Sequence, residues 1–157
     1  MKKIIVGADR SGRSLKDALV EYLESVGYEV KDVGMVSEEE FKAYYDVAPL
    51  VAKAIQNGEY EKGILCCGTG AGMNIIANKF KGIYAVVSEG SYTSRMSSII
   101  NQANVLTLGG WVVAPQQAID MVDRWLNTSF TETFEAKAEF LCNAFEQVKG
   151  IEDENFK

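Results

Sequence analysis

The chain contains no histidine. That absence removes the commonest acid–base side chain and the commonest metal ligand, so any chemistry must come from Cys, Asp, Glu, Lys, Tyr or the backbone. Cysteine is scarce as well: three residues, two of them adjacent, match neither a disulfide framework nor a zinc-ligand spacing. No apolar run approaches the length of a bilayer span, and Met1-Lys2-Lys3 leads into only five apolar residues, too few for a secretory signal. Positive charge is not in excess either. The formal net charge is −6 and the basic residues are scattered without a stripe, which disfavours nucleic acid and anionic membrane as partners. The expectation is a cytoplasmic protein.

What is present describes an ordinary folded domain. With 157 residues, 47% hydrophobic and 24% charged, the chain can bury a core without disulfides or a structural metal. Residues 1–150 read as a single α/β domain, and the acidic stretch 151–157 as a frayed tail.

In order along the chain, Lys3 to Ala8 is a β-branched strand that stops at the polar cluster Asp9-Arg10-Ser11-Gly12. From Ser14 the apolar residues Leu15, Ala18, Leu19, Tyr22, Leu23 and Val26 keep helical spacing, ended by Gly27. Tyr28 to Gly34 alternates as an outer strand, and residues 35–43 form a polar surface loop. Asp46 is placed to cap a helix carrying Val47, Leu50, Val51, Ala54 and Ile55, with Pro49 tolerated in its first turn. Strands are then expected at 63–67, 82–87 and 104–109, with helices over 73–80, 92–100 and from Pro115 to Leu126. Ser129 with Glu132 resembles a capping box that opens a last helix over about 131–149.

Strands alternating with helices imply a Rossmann-like three-layer sandwich, a five-stranded parallel sheet with helices on both faces. The last helix has no strand to follow, so it either coats its own sheet or packs on a second subunit. Ligands of such folds bind beyond the carboxyl ends of the strands. That edge collects Asp9-Arg10, Tyr44 to Asp46, Cys67 to Gly72, and Ser88-Glu89.

The most informative stretch is Gly63-Ile64-Leu65-Cys66-Cys67, an apolar central strand, running into Gly68-Thr69-Gly70-Ala71-Gly72. The glycines permit a tight turn whose free N–H groups sit at a helix start, a ready anion or oxyanion site. Cys67, at the strand's end and the helix's foot, meets amides that favour a thiolate. Cys66 and Cys142 read as small buried hydrophobes.

Several landmarks together resemble the ribose-5-phosphate isomerase B and galactose-6-phosphate isomerase family. They are Gly7-Ala8-Asp9 with Gly12 and Leu15-Lys16, Cys67-Gly68-Thr69-Gly70, Ala77-Asn78-Lys79 with Gly82, and Asn101 with Asn104-Val105-Leu106. The resemblance covers about the first 126 residues. It implies an aldose–ketose isomerase, with Cys67 as the base that moves a proton between C1 and C2 and Thr69 beside it as a second catalytic residue. Gly68, Gly70, Ala71 and Gly72 would hold the enediolate oxygen through their amides. Asp9, Arg10, Tyr44 and Asn101 would bind substrate, Asn101 across a dimer interface. Neither metal nor organic cofactor is implied, and the working unit would be a homodimer or homotetramer.

The sequence also departs from that family. Arg10 stands where a histidine is usual, Ile100 where the ring-opening histidine falls, and Phe134 and Ala138 where arginines hold phosphate. Arg10 could replace those cations by clamping a phosphate or a sugar acid, with Arg13 and Lys137 as weaker candidates. The loss of the histidine costs least for a tetrose or another sugar that stays open-chain. The expected activity is therefore isomerisation of a small sugar phosphate or sugar acid rather than strictly ribose 5-phosphate. Two alternatives remain at this point: an accessory subunit that binds but does not turn over, and a nucleotide-binding module. The second is weakened because the loop lacks both the full dinucleotide spacing and the P-loop Lys-Ser/Thr.

Overall fold

The computed structural model describes residues 1–156. Five strands and six α-helices alternate: β1 (Lys2–Ala8), α1 (Arg13–Ser25), β2 (Tyr28–Asp32), α2 (Tyr44–Gln56), β3 (Gly63–Cys67), α3 (Ala71–Ala77), β4 (Ala85–Val87), α4 (Ser91–Asn101), β5 (Val105–Gly109), α5 (Pro115–Leu126) and α6 (Ala138–Asn155). A short 3₁₀ turn, Glu135–Lys137, leads into α6. All strands are parallel in the order β2-β1-β3-β5-β4, so β3 is central as its unbroken apolar run requires.

Side-chain alternation sorts the core into two layers. Ile4, Val6, Ile64, Cys66, Leu106 and Leu108 face the layer of α1 and α5, where Leu19, Met121 and the fully buried Trp125 pack. Ile5, Leu65, Cys67 and Val105 face the opposite layer, against Val47 and Val51 of α2 and Met73 and Ala77 of α3. Adjacent Cys66 and Cys67 therefore sit in different environments by strand geometry alone.

The strand order places the chain's reversal of direction between β1 and β3, because β1 connects outward to β2 while β3 continues the other way. The loops leaving these two strands part there, with Asp9 on one side and Cys67 on the other.

Several boundaries differ from the sequence reading. Helix α2 starts at Tyr44 with Ala43 before it, and Asp46 is not the cap: it occupies the third helical position, where its Oδ2 accepts the Ala43 N–H at 3.2 Å. A carboxylate reaching back satisfies the same orphan donor that a capping side chain would leave. Strand β4 begins at Ala85, because Gly82 to Tyr84 are held instead by side chains. Asn104 accepts the Tyr84 N–H at 2.8 Å and donates to the Gly82 carbonyl at 2.8 Å.

At Ser129 the N–H does donate to Glu132 Oε2 at 2.9 Å. The backbone then turns left-handed at Thr131 (φ 65°) and Thr133 (φ 60°), which a helix cannot continue through, so α6 begins only at Ala138. Of the stretch expected to be a frayed tail, residues 151–155 belong to α6, which runs to Asn155, with Glu152 accepting from Gly82 N–H at 2.5 Å and from Tyr84 Oη at 2.9 Å; Lys157 lies outside the described residues. Phe145 meets Tyr84 edge-on at 5.0 Å, while Phe140, Val148 and Ile151 of α6 remain exposed. Among the described residues no helix is long and apolar enough to cross a membrane.

Candidate active site

The loop after β3 folds back on its own strand. Gly70 adopts φ +83°, and its N–H donates to Cys67 Sγ at 3.1 Å. Cys67 is buried but not sealed, at 5% exposure, whereas Cys66 is wholly buried and its thiol is pushed up by burial first and by the neighbouring Cys67 second. One cysteine of the pair thus opens to the loop and the other is sealed, while Cys142, expected to be buried, is exposed on α6.

The helix that follows starts at Ala71, inside the glycine run, rather than at Met73, and it is only seven residues long. Its macrodipole is correspondingly short, so the loop's electrostatics come from individual amides. Ala71 N–H donates to Thr69 Oγ1 at 3.3 Å, which fixes the exposed threonine at the mouth of the loop. Two aromatic rings close in from the sides. A Cβ on Gly72 would lie 3.0 Å from carbons of the Tyr44 ring, and one on Gly68 only 2.7 Å from the Trp111 indole. Trp111 reaches Gly68 because its N–H donates to the Gly68 carbonyl at 3.0 Å, continuing β5 past its pairing with β3.

Across the crevice, Asp9 is anchored by its N–H to the Cys66 carbonyl at 3.3 Å. Its Oδ1 accepts the Gly12 N–H at 3.0 Å, so half of the carboxylate serves the loop before α1 and the rest faces outward. Arg10 is exposed, with its guanidinium 3.0 Å from Glu38 and 5.4 Å from the centre of the Phe41 ring. Asp9, Arg10, Tyr44, Cys67, Gly68, Thr69, Gly70, Ala71 and Gly72 thus share the carboxyl edge. Ser88 is there too, but its hydroxyl is spent on Ser94 at 2.8 Å and on the Gly90 carbonyl at 3.0 Å.

Asn101 does not join them within one chain. It ends α4, next to the start of β5, at the amino edge of the sheet. Ile100 and Phe134 belong to the same region, where Thr131 N–H donates to the Ile99 carbonyl at 2.9 Å. Lys137 follows in that segment, its Nζ 5.9 Å from the centre of the Phe134 ring, away from Cys67. Cavities of about 510 and 430 Å³ also open at the amino edge, around Lys62, and neither includes the glycine loop.

Sequence reasoning missed Trp111 and Glu38. The first carries a weak signal, a large aromatic directly after Gly109-Gly110 at a strand's carboxyl end. The second is hidden in an acidic run, Glu38-Glu39-Glu40, whose members differ only in what they touch. Among the described residues no three His, Cys, Asp or Glu side chains gather as metal ligands. What the edge offers is a sulfur base, amide donors, a hydroxyl, a carboxylate and an arginine: the set needed to shift a proton beside a carbonyl.

Comparison with known proteins points the same way. Residues 4–140 match the family model described as Ribose/Galactose Isomerase. The chain is 42% identical over 156 residues to a 4-deoxy-4-sulfo-D-erythrose isomerase from Clostridium sp. (strain MSTE9), covering 99% of this chain and 98% of that one. It is 38% identical over 130 residues to a D-erythrulose-4-phosphate isomerase from Pectobacterium atrosepticum, covering 83% and 86%. Among solved structures, a ribose-5-phosphate isomerase B from Clostridium thermocellum superposes with a TM-score of 0.88 at 39% identity, covering 97% of this chain and 98% of that one.

Proposed function

The chain belongs to the ribose/galactose isomerase family, and we propose that this sugar isomerase interconverts the aldose and ketose forms of a four-carbon sugar whose C4 carries an anion, 4-deoxy-4-sulfo-D-erythrose foremost. Such a sugar has no C4 hydroxyl and so cannot close a furanose ring. A chain without a single histidine then needs no ring-opening acid. The relative named for that substrate is matched along its whole length, which supports the same reading.

The observation that carries the chemistry is the Gly70 amide on Cys67 Sγ at 3.1 Å. In the aldose-to-ketose direction the Cys67 thiolate takes the C2 proton, and the C–H electron pair forms the C1=C2 bond while the carbonyl electrons move to O1. Loop amides hold that oxyanion. Thr69 accepts the O2 proton and donates its own to O1, leaving charge on O2. The Cys67 thiol then returns a proton to C1 as the O2 electrons form the C2 carbonyl, so no atom is gained or lost. Asp9 orients sugar hydroxyls, Tyr44 and Trp111 wall the site, and Arg10 meets the anionic end.

This reading includes a homodimer or tetramer acting in the cytoplasm. Asn101 lies at the far edge of its own sheet, and α6 leaves Phe140, Val148 and Ile151 exposed. Asn101 would then reach the Cys67 edge only from a second copy of the chain.

The test is a deuterium-exchange assay with 4-deoxy-4-sulfo-D-erythrose. Deuterium should enter C2 of the aldose and C1 of the ketose, and Cys67→Ala should abolish this exchange. Binding without exchange would mark an accessory subunit, and full turnover by Cys67→Ala would remove the mechanism.

A further inference from the structure

We propose that Glu38 sets the charge of the anion the site accepts, favouring a singly charged sulfonate over a doubly charged phosphate. This rests on the reading of the substrate as a short sugar with an anionic tail, and it concerns how that tail is chosen.

Arg10, in the loop after β1, and Arg13, at the start of α1, project beside the crevice between β1 and β3. One carboxylate bridges them: Glu38 Oε2 lies 3.0 Å from Arg10 Nε and Glu38 Oε1 lies 3.3 Å from Arg13 Nη1. The same loop grips both cations again, through the Val36 carbonyl 2.8 Å from Arg13 Nη2 and through Phe41 against Arg10. Lys42 turns away, toward the carbonyls of Val33 and Gly34 and toward Glu40. Asp17 lies 3.7 Å from Arg13, but its other oxygen is 2.8 Å from the buried Lys16. Arg13 Nε is buried on the Asp17 side, so the guanidinium edge that meets Glu38 is the one open to exchange.

The two arginines and Glu38 together carry one net positive charge. A sulfonate is a monoanion at any working pH and balances it with Glu38 still bridging. A phosphate monoester carries about −1.5 to −2 at pH 7, so it must either sit against the Glu38 carboxylate or expel it. Arg10 and Glu38 are more than half exposed, at 58% and 63%, so solvent screens this repulsion. The discrimination is therefore about tenfold, not thousands.

The experiment compares kcat/KM for 4-deoxy-4-sulfo-D-erythrose and D-erythrose 4-phosphate in the wild type, Glu38→Gln and Glu39→Gln. Glu39→Gln removes the same charge from the same loop without touching the arginine bridge. The phosphate-to-sulfonate ratio should rise about tenfold in Glu38→Gln and stay within twofold of wild type in Glu39→Gln. An unchanged ratio in Glu38→Gln, or an equal rise in both variants, overturns the proposal. If the wild type turns over neither sugar, the reading of the substrate fails separately. Melting-temperature shifts with 2-hydroxyethanesulfonate and 2-hydroxyethyl phosphate then decide the role of Glu38: a wild-type preference for the sulfonate that Glu38→Gln abolishes supports it, and no preference refutes it.

Discussion

Replacing Gly70 by alanine strikes the fold and the chemistry at one point, and the two effects can be separated. Gly70 holds φ +83°, which costs an alanine about 1–2 kcal/mol. A Cβ there would also lie 3.0 Å from the Leu108 carbonyl carbon, 3.1 Å from the Leu108 nitrogen and 3.1 Å from Val87 Cγ2. Two of those atoms are backbone of a central strand and cannot yield, so overpacking adds about 1–2 kcal/mol. The expected total is about 2–4 kcal/mol, a fall in Tm of about 5–15 °C for a domain of this size. Gly82 provides the comparison, since it has φ +80° but nothing within 4 Å of its added Cβ. Gly82→Ala should therefore cost only the conformational part, about 1 kcal/mol after the stiffening of the unfolded chain is offset. Reversible denaturation followed by circular dichroism measures both. Deuterium exchange into substrate reads the chemistry, where Gly70→Ala should lose at least tenfold in kcat as its amide moves off Cys67. Equal destabilisation by the two variants would refute the packing argument. A destabilised Gly70→Ala with normal kcat would show that the amide–sulfur bond does not serve the base.

Three further outcomes are expected. Lys16, 1% exposed, donates to Asp32, to Asp17 and to the Met35 carbonyl, so Lys16→Met should cost about 2–3 kcal/mol in urea titration, less than a fully buried pair because both acids reach solvent. Tyr22 and Tyr84 are pushed up to about 12, by burial first and then by hydrogen bonds to Asp123 and Glu152. An unfolded tyrosine ionises near pH 10, so this stabilisation is complete below about pH 10 and falls as pH rises toward about 12. Tyr84→Phe should flatten that decline in melting experiments, and an unchanged slope would refute the assignment. Trp111→Ala should speed alkylation of Cys67 several-fold while Cys66 stays unreacted, as mapped by mass spectrometry, with a stability change under about 1 kcal/mol because the ring is 75% exposed.

The sheet and most helices were legible because their signals are local. β3 is an unbroken apolar run and α5 opens on a proline, and neither needs a distant partner to be recognised. The boundaries that moved are those that distant side chains decide: β4 is shortened by Asn104, and α6 is carried to its end by Glu152 docking on Gly82 and Tyr84. Cys67 and the glycine loop could be read because residue type and position coincide at a strand's end. Glu38 could not, since its meaning lies in two arginines brought to it by the fold. Asn101 illustrates the converse: its residue type singled it out, yet the fold places it at the amino edge, opposite Cys67 of its own chain.

A site that draws its polar donors from the main chain drifts differently from one built of side chains. A substitution at position 71 changes the surface of the loop without deleting an amide, while position 70 is closed to change by its backbone angle and its neighbours. Alanine scanning is accordingly blind to the loop amides, and an amide-to-ester replacement in the loop would be needed to see what they do. Under the proposed mechanism, the surrounding wall and the guanidinium rim can change without disturbing the amides that serve the base.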